Sequence, residues 1–466
     1  MSNPSLLEIV SPYDRHLIKE IPLASRKDAE TILRESYELF LDRSNRLPKY
    51  SRINILSRFR ELLKQNAESI ARQAAEEGGK PITDSRVEIT RAINSVDIAM
   101  AELAQMGGTE IPMELTDAAK NHIAYTMIEP AGVVLAISAF NHPINLIIHQ
   151  VIPAVAVGCP VIVKPAGSTP LSCLKIVELL YEAGLPEKWC RAIVCSNEIA
   201  SELASDHRIA FVTFIGSAKV GWNIRRNLAP GVRCALEHGG AAPAIIEPDV
   251  EIDNILPGLV KAGYYHAGQV CVSLQRLFVH KDIMNEASEK ITAMVKKLKV
   301  GDPLNEATEV GPLILPREAD RIDQWIKEAV KEGARLLTGG EKISDTCYKP
   351  TLLLNPSAES KVFREEIFGP VVCLMEYNDR LEAIGLANSL KFSFQASIYT
   401  KSLEVALDSV KRLKAKSVMV NEHTAFRVDW MPFGGAEMSG LGIGGIGYSM
   451  RDMCSEKLMV IKSKVL

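Results

Sequence analysis

In the run YYHAGQVCVS, Cys271 follows a Gly-Gln pair and precedes a β-prone stretch, a position that presents a thiol on a loop. A packed core thiol is the ordinary reading for one cysteine among nine, so the presentation has to be judged with its neighbours. Glu237, in the glycine-rich turn LEHGG, lies 34 residues upstream. A carboxylate there acts as a general base when its surroundings raise its pKa; His266 and His142 are alternative bases. The phrase FVTFIGSAKVGWNIRR reads as a strand, a Gly216-Ser217 turn and a helix, so helix N-terminal amides and a hydroxyl are available to a phosphate, although the pattern is not G-x-G-x-x-G. PVIVKPAGSTPLS is a second strand, turn and helix, with Lys164 at the strand end and Thr169 and Pro170 as expected N-cap and first helical residue. Two such turns in neighbouring units argue for a nucleotide better than either alone.

Elements that position these residues follow from periodicity. Ile53, Leu56, Phe59, Leu63, Ile70 and Ala74 recur at helical spacing, and Gly78, Gly79 and Pro81 end the run. From about residue 130, the β-rich runs VVLAIS, PVIVKP, AIVC, AFVTFIG and APAIIE alternate with helical segments, the pattern of a parallel sheet. After the HGG turn at His238–Gly240 a second series follows: strands RLFVH, VVCLMEY, ASIYT and SVMVN, with helices around 284–298, 316–332 and 402–415. Two α/β layers in sequence predict a cleft between them, with the site at strand carboxyl ends. The last run, EKLMVIKSKVL, reads as an edge strand seeking a partner chain.

At 466 residues the chain is long enough for two or three domains. Its 54 Lys and Arg against 57 Asp and Glu give a net charge of −3, which offers nothing to a nucleic acid. The apolar stretch from Pro143 to Val163 contains Asn145, His149, Gln150 and three prolines, and reads as buried core rather than a membrane span. The N-terminal run MSNPSLLEIVSPYDR lacks the basic and apolar regions of a secretory signal, so a cytoplasmic protein is expected. Nine cysteines with no C-x-x-C pair fit neither a disulfide framework nor a zinc site, and no metal is expected.

The ordered motifs AFNHP, VIVKPAGSTP, FIGSAKVG, LEHGG, GQVC, EEIFGPV and PFGG together resemble the aldehyde dehydrogenase superfamily over essentially the whole chain. The resemblance implies an α/β fold of two Rossmann-like domains plus a β oligomerisation arm. It divides the chain into an NAD(P)-binding domain at 1–114 and 130–237, a catalytic domain at 238–421, an arm at 115–129 and 452–466, and a return segment at 422–451 lining the active site. It implies Cys271 as nucleophile, Glu237 as the base that activates water, and Asn141 as the oxyanion-binding amide. For NAD or NADP it implies Lys164 and Glu366 near the ribose hydroxyls, with Gly167 and Ser168 by the adenosine ribose, Ser217 at the helix start for the pyrophosphate, Phe368 against the nicotinamide side, and Gly216 and Val220 also in the cofactor set. A homodimer or homotetramer is the expected assembly.

Two departures from the family pattern bear on function. A Glu or Ser is usual where Gly167 stands, and a carboxylate there would hydrogen-bond the ribose diol and repel a 2′-phosphate; its absence implies that NADP is accepted. The usual S-G-x-G-R-E reads SGLGIGG, with Ile443 and Gly444 for the Arg and Glu, which leaves the proton route undefined. AFNHPINL and FRVDWMPFGG are similar to the branch of lactaldehyde, phosphonoacetaldehyde, non-phosphorylating glyceraldehyde-type and succinate-semialdehyde-like enzymes, so His142 and Arg427 are candidate substrate contacts, with an Arg427–Asp429 ion pair as the alternative. Val270 stands where phosphonate-handling relatives carry an arginine, so the expected substrate is a small hydroxylated or monoanionic aldehyde. A coenzyme-A-acylating enzyme and a catalytically idle nucleotide-binding homologue are the competing readings.

Overall fold

A computed structural model describes residues 5–465, which form two parallel sheets meeting end to end. The first has the spatial order Gly440–Leu441, Arg233–Glu237, Ile209–Ile215, Val133–Ile137, Val161–Lys164, Cys190–Ala192. Its five longer strands are parallel, and their near-continuous apolar runs reflect burial on both faces. Strand order reverses beside Val133–Ile137, whose neighbours are the next strand in sequence and the third one on, a topological switch point.

The second sheet runs Arg335–Thr338, Thr351–Leu354, Val371–Tyr377, Leu274–His280, Ala242–Ile246, Gln395–Tyr399, Ser417–Val420. Only its first strand is antiparallel to its neighbour. The chain then returns: Gly440–Leu441 pairs antiparallel with Leu236 and Glu237, adding an edge strand to the first sheet. A separate three-stranded sheet has Cys454–Lys462 at one edge against His122–Pro130. The outer strand buries only Cys454; Leu458, Met459, Val460 and Ile461 stay exposed, as expected for an unpartnered edge.

Several expectations need correction. The early helical run is two helices, Lys49–Gln65 and Ala67–Gly78, broken at Asn66. The strand expected in AIVC is Cys190–Ala192, begun two residues early, so Cys195 lies beyond it. Thr169 makes no capping hydrogen bond to the helix Pro170–Glu182, and its buried hydroxyl has no partner. The orphan amides of Leu171 and Ser172 donate instead to Glu77, each at 2.8 Å. Glu88 does the same for Ile144 and Asn145, at 2.9 and 2.8 Å, and is ion-paired with buried Lys80. Local sequence signals missed this device because the capping carboxylates come from helices far away in the chain.

Candidate active site

The two sheets contribute opposite ends to the space between them. From the first come carboxyl ends: Lys164, the Gly216-Ser217 turn after Ile215, and Glu237. From the second come amino ends, since Cys271 precedes the strand Leu274–His280 and Phe368 precedes Val371–Tyr377. The expectation of carboxyl ends therefore holds for one sheet and fails for the other. Between them lies a cavity of about 1190 Å³. All thirteen residues singled out above for catalysis, cofactor and substrate line it, whereas His266 does not.

Cys271 sits on a loop whose backbone is forced into unusual shape. His266 and Ala267 have left-handed φ of 48° and 54°, and Gly268 follows at 69°. At Gly268 a Cβ would lie 2.0 Å from the Gly369 carbonyl oxygen, so only glycine lets the loop cross there. Gln269 braces the turn: its amide donates to the Pro312 carbonyl at 3.2 Å, and its Oε1 accepts from Ile314 N–H at 2.9 Å. Asn141 Nδ2 donates to the Gln269 carbonyl at 2.9 Å, which orients the amide and leaves its second hydrogen for the cavity. Of nine cysteines, seven are buried; Cys234 is partly exposed but off the cavity, so Cys271 is the partly exposed thiol that lines it.

Electrostatics set the resting state. Burial, then the charges of Glu237 and Glu366, push the Cys271 thiol well above its usual range, and Arg427 opposes them. Burial also raises Glu237, against the pull of Arg427, toward the range useful to a general base near neutrality. Glu366 is pushed up to about 7 by burial, although the Gly240 amide donates to it at 3.2 Å. His142, buried near Lys80, His266, Arg91 and Arg427, is held neutral. Its Nε2 lies 3.1 Å from the Tyr265 hydroxyl.

Asp429 is the ion-pair partner the sequence suggested for Arg427, but a loose one. Its carboxylate takes Arg91 at 2.7 Å, His149 at 2.9 Å and Asn145 at 3.2 Å, while Arg427 Nε stays 3.8 Å away. Arg427 instead stacks on Phe433, 3.5 Å from the ring centroid, with Nη1 buried and without a partner. Arg91 and Arg15 also line the cavity and carried no sequence signal, because their approach depends on packing between distant segments; Tyr265 and Lys219 line it from the runs that carry Cys271 and Ser217. In all, seven lysines and arginines face four carboxylates there, a positive interior in a chain of net charge −3.

A dinucleotide fits this geometry. The helix Ala218–Arg226 starts at Ser217 without a side-chain cap, so its first amides are open to the cavity. Lys164 is 7% exposed, and its amine has only the Pro165 carbonyl, at 3.4 Å.

Two sheets of parallel strands thus bring a half-buried thiol, an amide and a carboxylate to one cavity. The chain belongs to the aldehyde dehydrogenase family, whose model matches residues 1–459. It is 34% identical to the 3-sulfolactaldehyde dehydrogenase of Priestia aryabhattai over 457 residues, covering 98% of this chain and 94% of that one. Among solved structures, it resembles aldehyde dehydrogenase 21 from Physcomitrella patens in complex with its reaction product succinate, with a TM-score of 0.95, 34% identity, and 99% and 96% of the two chains covered. It also resembles the glyceraldehyde-3-phosphate dehydrogenase of Methanocaldococcus jannaschii complexed with NADP, with a TM-score of 0.94, 30% identity, and 99% and 100% covered. The protein is thus an oxidoreductase that acts on aldehydes.

Proposed function

We propose that the protein oxidises a small hydroxylated or monoanionic aldehyde to the carboxylic acid, with NAD or NADP as cofactor. The observation that carries this reading is the convergence of Cys271, Asn141, Glu237 and the partnerless Nη1 of Arg427 on one cavity. The relatives named for sulfolactaldehyde and bound to succinate support an anionic substrate.

Cys271, as thiolate, attacks the aldehyde carbon, and the free hydrogen of the Asn141 amide and the Cys271 backbone N–H receive the developing oxyanion. The nicotinamide, when bound, supplies the hydride acceptor. Lys164 and Glu366 would hold the cofactor's ribose hydroxyls, with Gly167 and Ser168 by the adenosine ribose, Gly216, Ser217 and Val220 by the pyrophosphate, and Phe368 against the nicotinamide side. Glu237 then takes a proton from water, which attacks the Cys271 thioester and releases the acid. Arg427 and His142 hold the far end of the substrate, the first by charge and the second as a neutral hydrogen-bonding ring.

In this reading residues 1–114 and 130–237 are the cofactor domain, 238–421 the catalytic domain, and 422–451 the return segment. The arm, 115–129 with 452–466, uses its exposed apolar edge to join a second copy, giving a homodimer or homotetramer. Product analysis with and without coenzyme A is the test: free acid in both cases supports hydrolysis, an acyl-coenzyme A product refutes the role given to Glu237, and no turnover with any aldehyde refutes the activity.

A further inference from the structure

The cavity that Gly167 and Ser168 line is also lined by a segment that the catalytic reading leaves unused: Leu7, Glu8, Val10 and Arg15 of the N-terminal hairpin. The hairpin is docked on the helix that follows Ser168. Ile9 and Ile21 pack on Leu171, with Leu7, Ile18 and Leu174 around them. Its turn is equally fixed. A Cβ at Gly79 would meet Pro12 at 2.9 Å and Pro312 at 2.8 Å, and the Thr346 hydroxyl donates to the Pro12 carbonyl at 2.6 Å. His16 at the end of the turn lies 3.2 Å from Glu76, the neighbour of the Glu77 that caps the same helix.

Arg15 is the residue this framework presents. Its backbone is left-handed, with φ of 64°, where glycine is the cheaper choice. The carboxylates nearest the turn are both taken by His16: Asp14 at 2.6 Å and Glu76 at 3.2 Å. Among the described residues Arg15 forms no ion pair, yet it is exposed to the cavity. A guanidinium without an ion-pair partner, carried by a fixed turn into the cavity that side-chain-free Gly167 also lines, suits a phosphate, whose oxygens it can take two at a time.

We propose that Arg15 is a specificity-determining residue for the cofactor, its guanidinium contacting the 2′-phosphate of NADP. The proposal rests on the NAD(P) reading above. Burial lowers the pKa of Lys164, and Arg15 brings a second cation to the cavity that Lys164 lines. Glu8 reaches the same wall, and the arginine offsets its repulsion of a phosphate.

Arg15→Gly removes the guanidinium while relaxing the turn, so the fold is unaffected and any binding change belongs to the side chain. Titration calorimetry on this variant, with NADP, NAD, adenosine 2′,5′-bisphosphate and 5′-AMP, requires no turnover. NADP and the bisphosphate should bind about 10- to 100-fold more weakly, the span of one charge-assisted contact, with NAD and 5′-AMP unchanged within about twofold. Arg15→Lys should recover part of the loss. Wild-type protein that binds NAD but neither 2′-phosphate compound refutes the NADP reading itself. Tight NADP binding indifferent to Arg15→Gly, or equal weakening of NAD and NADP, refutes the role of Arg15 alone.

Discussion

Replacing Arg427 by alanine separates substrate recognition from scaffold. The guanidinium is buried and Nη1 has no partner, so an anionic substrate gains a charge-assisted bond that needs no competing bond to break. Such a bond contributes about 1.5–3 kcal/mol, so kcat/KM for an aldehyde with a carboxylate or sulfonate should fall about 10- to 150-fold, against less than about threefold for propanal. The scaffold should survive, since Asp429 keeps Arg91, His149 and Asn145. A second readout tests the electrostatics. Arg427 lowers the pKa of both Glu237 and Cys271, so its removal should move each upward and shift the acid limb of the pH–rate profile to higher pH. Steady-state kinetics from pH 5 to 10 on matched charged and neutral aldehydes measures both. Equal losses on both substrates, or an acid limb that moves down, would refute the reasoning.

Cys271→Ala should abolish oxidation and leave cofactor affinity within about twofold; acyl adducts found by mass spectrometry on another cysteine would contradict it. In Glu237→Gln, steady turnover should drop by about 10²-fold or more while a stopped-flow burst of reduced cofactor remains, and a missing burst would assign Glu237 to an earlier step. A Cβ at Gly167 meets nothing within 4 Å, so Gly167→Glu fits without strain. Its carboxylate, ~4 Å from a 2′-phosphate, opposes it by up to about 4 kcal/mol at an effective dielectric of ~20, less screening. NADP should therefore lose at least tenfold in kcat/KM while NAD does not, and an indifferent variant would mean that selectivity is set elsewhere.

How much was legible in the sequence follows from range. Strands buried on both faces, such as Val161–Lys164, advertise themselves as apolar runs bounded by Pro160 and Pro165. The two βα turns, at Lys164 and at Gly216-Ser217, are local in the same way. Cys271 and Glu237 were legible singly, as a presented thiol and a candidate base, but Asn141 and the grouping of all three emerged only through the resemblance, because no local rule brings together residues 34 and 130 positions apart. What stayed hidden is carried by contacts between distant segments: Glu77 and Glu88 capping other helices, Asp429 choosing Arg91 over Arg427, and Arg15 arriving from the hairpin turn. Thr169 and Pro170 do stand at the expected N-cap and first helical position, but the capping bonds come from the distant Glu77 rather than from the Thr169 hydroxyl.

The return of the chain to pair Gly440 with Glu237 has a thermodynamic consequence. The strand that carries the base in one half is completed by a segment that the chain brings back from the other half, so unfolding the second half frees the segment that covers this edge of the first sheet. Two α/β units of this size would otherwise unfold independently. Here the crossing strand ties them into one cooperative transition, and heat should extinguish the site and both cores together, in a single calorimetric peak.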